Sequence, residues 1–192
     1  MRNCCPGRQR KESMSDRIKV LIPEDRINER VRELGSQISR DYAGKEISLI
    51  CVLKGGVYFL TALSQQITVP CTIDFMCVSS YGADTVSSGD VKIKKDLDAS
   101  IEGKDVLIVE DIIDSGHTLA CLRELLFSRK PASLRICTLL DKPDRREVKG
   151  FSPEYCGFVI PDVFVIGYGL DYDQRYRNLP YVGVVEQDSS AD

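Results

Sequence analysis

The 192-residue sequence has a single histidine, His117, and no two cysteines in a C-x-x-C spacing, so little is available to build a zinc site. No apolar run approaches the length of a bilayer span, so no membrane-crossing helix is expected in this stretch of chain. No hydrophobic segment near the start forms a secretory signal. Basic residues are not in excess: 26 Lys and Arg stand against 29 Asp and Glu, a formal net charge of −3. That balance argues against a nucleic-acid surface as the main business of the chain. Internal repeats and linkers are missing too, and the length fits one domain with a proper core. What is present in number is cysteine, eight in all. Cys51, Cys77 and Cys137 fall inside apolar strand-like runs and Cys121 on a helical one, where cysteine behaves as a small hydrophobe. Without a signal, and with this much core, reduced cytoplasmic thiols are expected rather than disulfides.

Met1–Ser13 is basic, polar and without periodicity, and Met14-Ser15-Asp16-Arg17-Ile18 reads as an ordinary start. Residues 1–14 are therefore expected to be a disordered extension, residues 15–187 a single domain and residues 188–192 a polar tail. Lys19–Ile22 reads as a strand. Pro23-Glu24-Asp25 opens a helix to about Tyr42 with Ile27, Val31, Leu34 and Ile38 on one face. Ser48–Leu53 is a buried strand, followed by Lys54-Gly55-Gly56 and a helix from Val57 to Gln66. Read alone, that turn fits an anion contact or a plain β–α connection equally well. Thr72–Ser80 is a third strand and Val91–Lys94 the return arm of a hairpin. Between them, Tyr81–Asp90 is polar and patternless, a mobile loop whose length suggests a lid, or a connection with no role. Leu134–Leu140 gives a further strand, and Phe158–Pro161, Val163–Gly167 and Val182–Val185 give short ones. The alternation implies an α/β fold: a mostly parallel central sheet with helices on both faces, and a small C-terminal hood built mainly from about 151–185.

The stretch Val106–Leu119 organises the rest. Four apolar residues, a strand buried on both faces, lead to Glu110 and Asp111, then Ile112-Ile113, then Asp114. Ser115-Gly116-His117-Thr118 comes next and enters a helix carrying Leu119, Leu122, Leu125 and Leu126. Unpaired N–H groups and the positive end of a helix dipole suit a phosphate. Gly116 lets the backbone come close, and the Ser115 and Thr118 hydroxyls can donate. The acids just upstream would repel a phosphate unless a divalent cation, a ribose diol or a developing positive charge lies between. Lys54, Asp114 and Lys142 all fall at the carboxyl ends of strands, where ligands bind in such sheets.

Glu110-Asp111-Ile112-Ile113-Asp114-Ser115-Gly116-His117-Thr118 resembles the phosphoribosyl-pyrophosphate motif of type I phosphoribosyltransferases. From about Lys19 to Val185 the chain is similar to their purine branch, the hypoxanthine-guanine phosphoribosyltransferases. The resemblance implies a role for each motif. Leu53-Lys54-Gly55 matches the pyrophosphate loop, in which the peptide before the lysine is often cis, and Arg177 matches an arginine that reaches the pyrophosphate. Ser80 and Tyr81 begin what resembles the flexible catalytic loop. Lys142 corresponds to the lysine that contacts the exocyclic oxygen of a 6-oxopurine. Phe164 corresponds to the ring that stacks on the base, with Val165 backbone groups reading its edge and Leu170 beside Asp171. Asp171 matches the magnesium ligand, with Glu110 and Asp111 reaching Mg2+ or the ribose through water. Asp114 is the implied catalytic residue within a 5′-phosphate site formed by Glu110, Asp111 and Asp114–Thr118. His117 is expected to matter through its N–H more than its ring.

The resemblance thus implies Mg2+-dependent transfer of ribose 5-phosphate from phosphoribosyl pyrophosphate to hypoxanthine or guanine. It also implies a cytoplasmic homo-oligomer, dimer or tetramer, with no nucleic-acid or membrane partner. Asp114 would manage the proton at purine N7, and the lid would exclude water. Transfer to xanthine stays within the class, whereas the Lys142/Phe164 pair disfavours a pyrimidine. A reading from another class is a nucleotide-sensing regulator on the same fold. It needs a basic face or an appended binding segment, and the acidic balance counts against it.

Overall fold

The computed structural model describes residues 17–80 and 91–186. Their elements run β1 (Arg17–Ile22), α1 (Glu24–Asp41), β2 (Ile47–Val52), α2 (Val57–Ser64), β3 (Cys71–Ser80), β4 (Val91–Lys95) and β5 (Asp105–Ile113). They continue with α3 (His117–Phe127), β6 (Ser133–Asp141), β7 (Tyr155–Val159), β8 (Val165–Ile166) and β9 (Val182–Glu186). Helix α1 starts after Pro23, carries Glu24 and Asp25 in its first turn and Arg40 in its last, and so complements its own dipole at both ends. Its buried stripe is the expected one, with Ile27, Val31, Leu34 and Ile38.

Six strands form the main sheet in the order β4-β3-β2-β5-β6-β7, and only the outer β4 runs antiparallel. Alternation along the inner strands divides the core in two. Leu49 and Cys51 of β2, Leu107 and Val109 of β5, and Cys137 and Leu139 of β6 pack with α1 and α2. Ile50, Val52, Val106, Ile108 and Ile136 pack on the other face with Leu119, Leu122 and Leu126 of α3. Because both faces are covered, the inner strands read as continuous apolar runs: every residue of β2 is buried.

The C-terminal strands differ from expectation in three ways. A strand expected over 158–161 begins earlier, as β7, and joins the main sheet beside β6. Tyr155 buries its ring in the α1-side core, and Arg30 of α1 donates to the carbonyls of Cys156 and Gly157 at 2.8 and 3.0 Å, covering the sheet edge. The strand expected over 163–167 contracts to the two residues of β8, leaving Phe164 outside it and 57% exposed. The hood sheet is three-stranded, β1-β9-β8, so it takes a strand from the opposite end of the described chain. Local periodicity finds β1 but carries no information about its distant partner.

Candidate active site

The carboxyl ends of β2, β5 and β6 lie side by side, since these strands are adjacent and parallel. Lys54, Asp114 and Lys142 therefore stand just past three neighbouring strand ends. At the β5–α3 junction Gly116 has φ +89° and caps α3, whose first residue is His117. Asp114 is exposed, Gly116 buried and Thr118 half-buried. The segment after β6 passes directly over this loop. The Glu147 and Val148 N–H groups both donate to the Ser115 carbonyl, at 3.0 and 3.4 Å, and His117 Nε2 lies 2.8 Å from Glu147 Oε2.

A second cluster joins β5 to the hood. Gly55 has no room for a side chain, because a Cβ there would run into the Asp111 carboxylate. Gly169, at φ +102°, lies against the Gly55 backbone in the same way. The peptide between Leu53 and Lys54 is cis. Arg177 donates to the Gly169 carbonyl at 2.7 Å and pairs with Asp171 at 2.6 Å. The Gln174 N–H donates to the other Asp171 oxygen at 2.8 Å, and Lys54 Nζ donates to Gln174 Oε1 at 2.9 Å. Lys54, Gly55, Asp111, Asp171 and Arg177 are thus brought together, with Leu170 buried beneath them. Four of the five non-glycine residues with positive φ among the described residues, Tyr168, Asp173, Gln174 and Tyr176, crowd into this turn. Such conformations are held only where surrounding contacts enforce them, a pattern typical of functional sites.

The acids here are short of compensation. Burial lifts the Asp111 carboxyl to about 6; the Ile112 N–H and Arg177 work against that rise, and Asp171 adds to it. Glu110 is pushed well above the ordinary carboxylate range by burial and by Asp111, and its Oε2 is buried with no hydrogen-bond partner. Hard carboxylate oxygens left without compensation fit a divalent cation. Among the described residues, no three His, Cys, Asp or Glu side chains converge closely enough to hold an ion by themselves. An ion would therefore draw part of its shell from ligand oxygens and water.

On the β6 side, Lys142 is buried at 6% exposure, and its Nζ lies 4.0 Å from Asp162. Arg145 bridges Asp162 at 3.4 Å and Asp114 at 2.9 Å, linking the lysine to the acid of the β5–α3 loop. Phe164 meets Tyr172 edge to face with ring centroids 5.6 Å apart, an exposed aromatic pair able to receive a flat ring. Val165 is buried in β8, so its side chain is not available to a ligand. Ser80 ends β3, and Tyr81 lies outside the described residues. Sequence reading missed Arg145, Gln174 and the 146–148 strap. None has a local signature, and a run of charges after a strand ordinarily reads as a solvated turn.

The phosphoribosyl transferase domain family matches residues 23–173 of the chain. A hypoxanthine phosphoribosyltransferase of Salmonella typhimurium is 55% identical over 174 residues, covering 90% of this chain and 97% of that protein. A hypoxanthine-guanine phosphoribosyltransferase of Streptococcus thermophilus is 50% identical over 170 residues, 88% of this chain and 94% of its own. Among solved structures, a hypoxanthine-guanine phosphoribosyltransferase of Bacillus anthracis superposes with a TM-score of 0.85 at 50% identity, covering 88% of this chain and all of that one.

Proposed function

The chain belongs to the phosphoribosyl transferase family, and from that premise we propose that it transfers a 5-phosphoribosyl unit from phosphoribosyl pyrophosphate to hypoxanthine or guanine, releasing pyrophosphate. The observation that carries the reading is the convergence on three adjacent strand ends of a left-handed glycine at a helix N-terminus, the Asp111 carboxylate packed on Gly55 and a buried lysine.

In this reading the N–H groups of Gly116, His117 and Thr118 and the Ser115 and Thr118 hydroxyls hold the 5′-phosphate. Lys54 and Arg177 take the diphosphate, and Phe164 stacks on the purine. Lys142 donates to an exocyclic oxygen, favouring a 6-oxopurine over an aminopurine. Asp114 accepts or holds the purine N7 proton, leaving the other imidazole nitrogen nucleophilic. As the bond to pyrophosphate breaks, the ribose gains oxocarbenium character, which Glu110 and Asp111 offset. Asp171, with Glu110 and Asp111 through water or ribose, would hold Mg2+, which when bound would supply charge neutralisation for the leaving diphosphate. Ser80 and Tyr81 open the loop assigned to water exclusion.

A cytoplasmic setting is supported by the six described cysteines, all free thiols; burial pushes Cys51 up to about 12, so it is an inert core thiol. No described helix is long and apolar enough to cross a membrane. A homo-oligomer is in keeping with the large apolar side chains left exposed at Phe127 and Val159. The deciding assay monitors pyrophosphate release from phosphoribosyl pyrophosphate with Mg2+ and each purine base. Release that depends on the base supports the transferase. Tight cosubstrate binding without release with any base supports a regulator instead.

A further inference from the structure

Building on the transfer reading above, we infer that Arg146 is a positioning residue for the 5′-phosphate: it braces the phosphate loop and adds positive charge behind it. Its side chain is only 10% exposed and is paired with Asp141 at the end of β6. Its Nη1 is buried and has no hydrogen-bond partner. That same nitrogen is turned toward the loop. A Cβ placed on Gly116 would lie 3.1 Å from Nη1 and 3.0 Å from Cδ, so Arg146 fills the space a side chain at 116 would need.

A buried guanidinium is costly to desolvate, and its Coulomb gain from Asp141 seldom exceeds that cost. As a mere core filler it is a poor choice. Placed behind a loop that holds a dianion, its charge reaches the phosphate through low-dielectric protein and adds to the helix dipole. Neighbouring contacts fix its position. Phe151 faces the guanidinium, its ring centroid 5.7 Å away, and Arg123 of α3 lies 4.8 Å from the same ring. Glu147 and Val148, the next two residues, tie their N–H groups to the Ser115 carbonyl. Asp141 precedes Lys142, so the ion pair also joins the phosphate loop to the strand end that carries the purine-facing lysine. Arg146 touches none of the reacting atoms.

The test uses the full chain with Arg146→Met and Arg146→Lys, and two ligands, ribose 5-phosphate and hypoxanthine. For Arg146→Met we expect ribose 5-phosphate affinity to fall about tenfold or more, with a matching rise in KM for phosphoribosyl pyrophosphate. The KM for hypoxanthine and the saturated kcat should change by less than about threefold. Arg146→Lys keeps the charge without the planar fork and should recover most of the phosphate affinity. Wild-type affinity for ribose 5-phosphate in Arg146→Met, or an equal loss for hypoxanthine, would overturn the inference. If the methionine variant does not fold, Arg146→Gln, which also removes the charge, decides: a loss confined to the phosphate ligand supports the role, and wild-type phosphate affinity or a loss shared by both ligands overturns it. Binding of ribose 5-phosphate needs no turnover. A wild type that binds it yet releases no pyrophosphate therefore sinks the transfer reading, while the binding data still judge Arg146.

Discussion

Two aspartates, three residues apart, are set by different surroundings. Asp111 packs against Gly55 at the buried end of β5, whereas Asp114 is exposed and held at 2.9 Å by Arg145. Asp114→Asn keeps the shape and the Arg145 contact but removes the carboxylate proposed to accept the purine N7 proton. It should lower turnover by an order of magnitude or more while changing cosubstrate affinity little; equal turnover in steady-state assays would remove Asp114 from proton transfer. For Asp111 the expectation concerns stability. Its carboxyl rises from 3.8 to about 6 on folding, so between those values the folded state binds more protons than the unfolded one. Stability of the ligand-free protein should therefore fall as pH rises through that window, by about 3 kcal/mol from this group. Asp111→Asn should flatten that fall and raise the neutral-pH melting temperature, as thermal denaturation between pH 4 and 8 would reveal. Added Mg2+ with phosphoribosyl pyrophosphate should stabilise the wild type more than the variant. Both aspartates were legible in the sequence, because acids, glycine and hydroxyls fall in order between an apolar strand and a helical repeat. Arg145 and Gln174 were not, since their contacts span 31 and 120 residues along the chain.

At the level of elements, the β5–α3 loop, proposed above to hold the 5′-phosphate, depends on one backbone conformation. Gly116→Ala forces a side chain into a positive-φ position already crowded by Arg146. It should destabilise the fold by about 1–3 kcal/mol and raise KM for phosphoribosyl pyrophosphate more than KM for the base. A urea midpoint and KM values indistinguishable from wild type would contradict this. Helix α1 and strand β2 were readable nearly to their ends, because each buries a stripe or a whole run and the period reports burial directly. Strand β5 instead runs four residues past the expected Val106–Val109, carrying Glu110 and Asp111 within the strand to Ile113. The hood was read less well. Phe164 is apolar yet exposed as one of an aromatic pair, so counting it as strand interior overextended β8. Val165 and Ile166 there are core, whereas the Phe164 ring turns outward beside Tyr172.

For the molecule as a whole, the hood and the main sheet share one core: Ile22 and Val182 pack in the same cluster as Leu107 and Phe59. β1 supplies the outer partner of β9, and β9 in turn holds β8 with Val165. Removing residues 17–22 should strip β9 of its ladder and cost several kcal/mol through lost strand pairing and the burial of Ile22. Hydrogen exchange should then speed up in β8 and β9 while the inner strands β2 and β5 stay protected; uniform protection would contradict that dependence. The parallel arrangement of the main sheet was implied by strand–helix alternation, whereas the pairing of the first described strand with the last was not, being a contact across the full domain. The central claim is that these strand ends form a site for a 6-oxopurine beside a ribose phosphate. Its most direct measurement is steady-state kinetics with hypoxanthine, guanine, xanthine and adenine at saturating phosphoribosyl pyrophosphate. The account predicts kcat/KM for hypoxanthine or guanine above that for adenine by roughly three orders of magnitude or more, because Lys142 has no acceptor on an amino group. Comparable turnover of adenine, or consumption of none of the four bases, would contradict it.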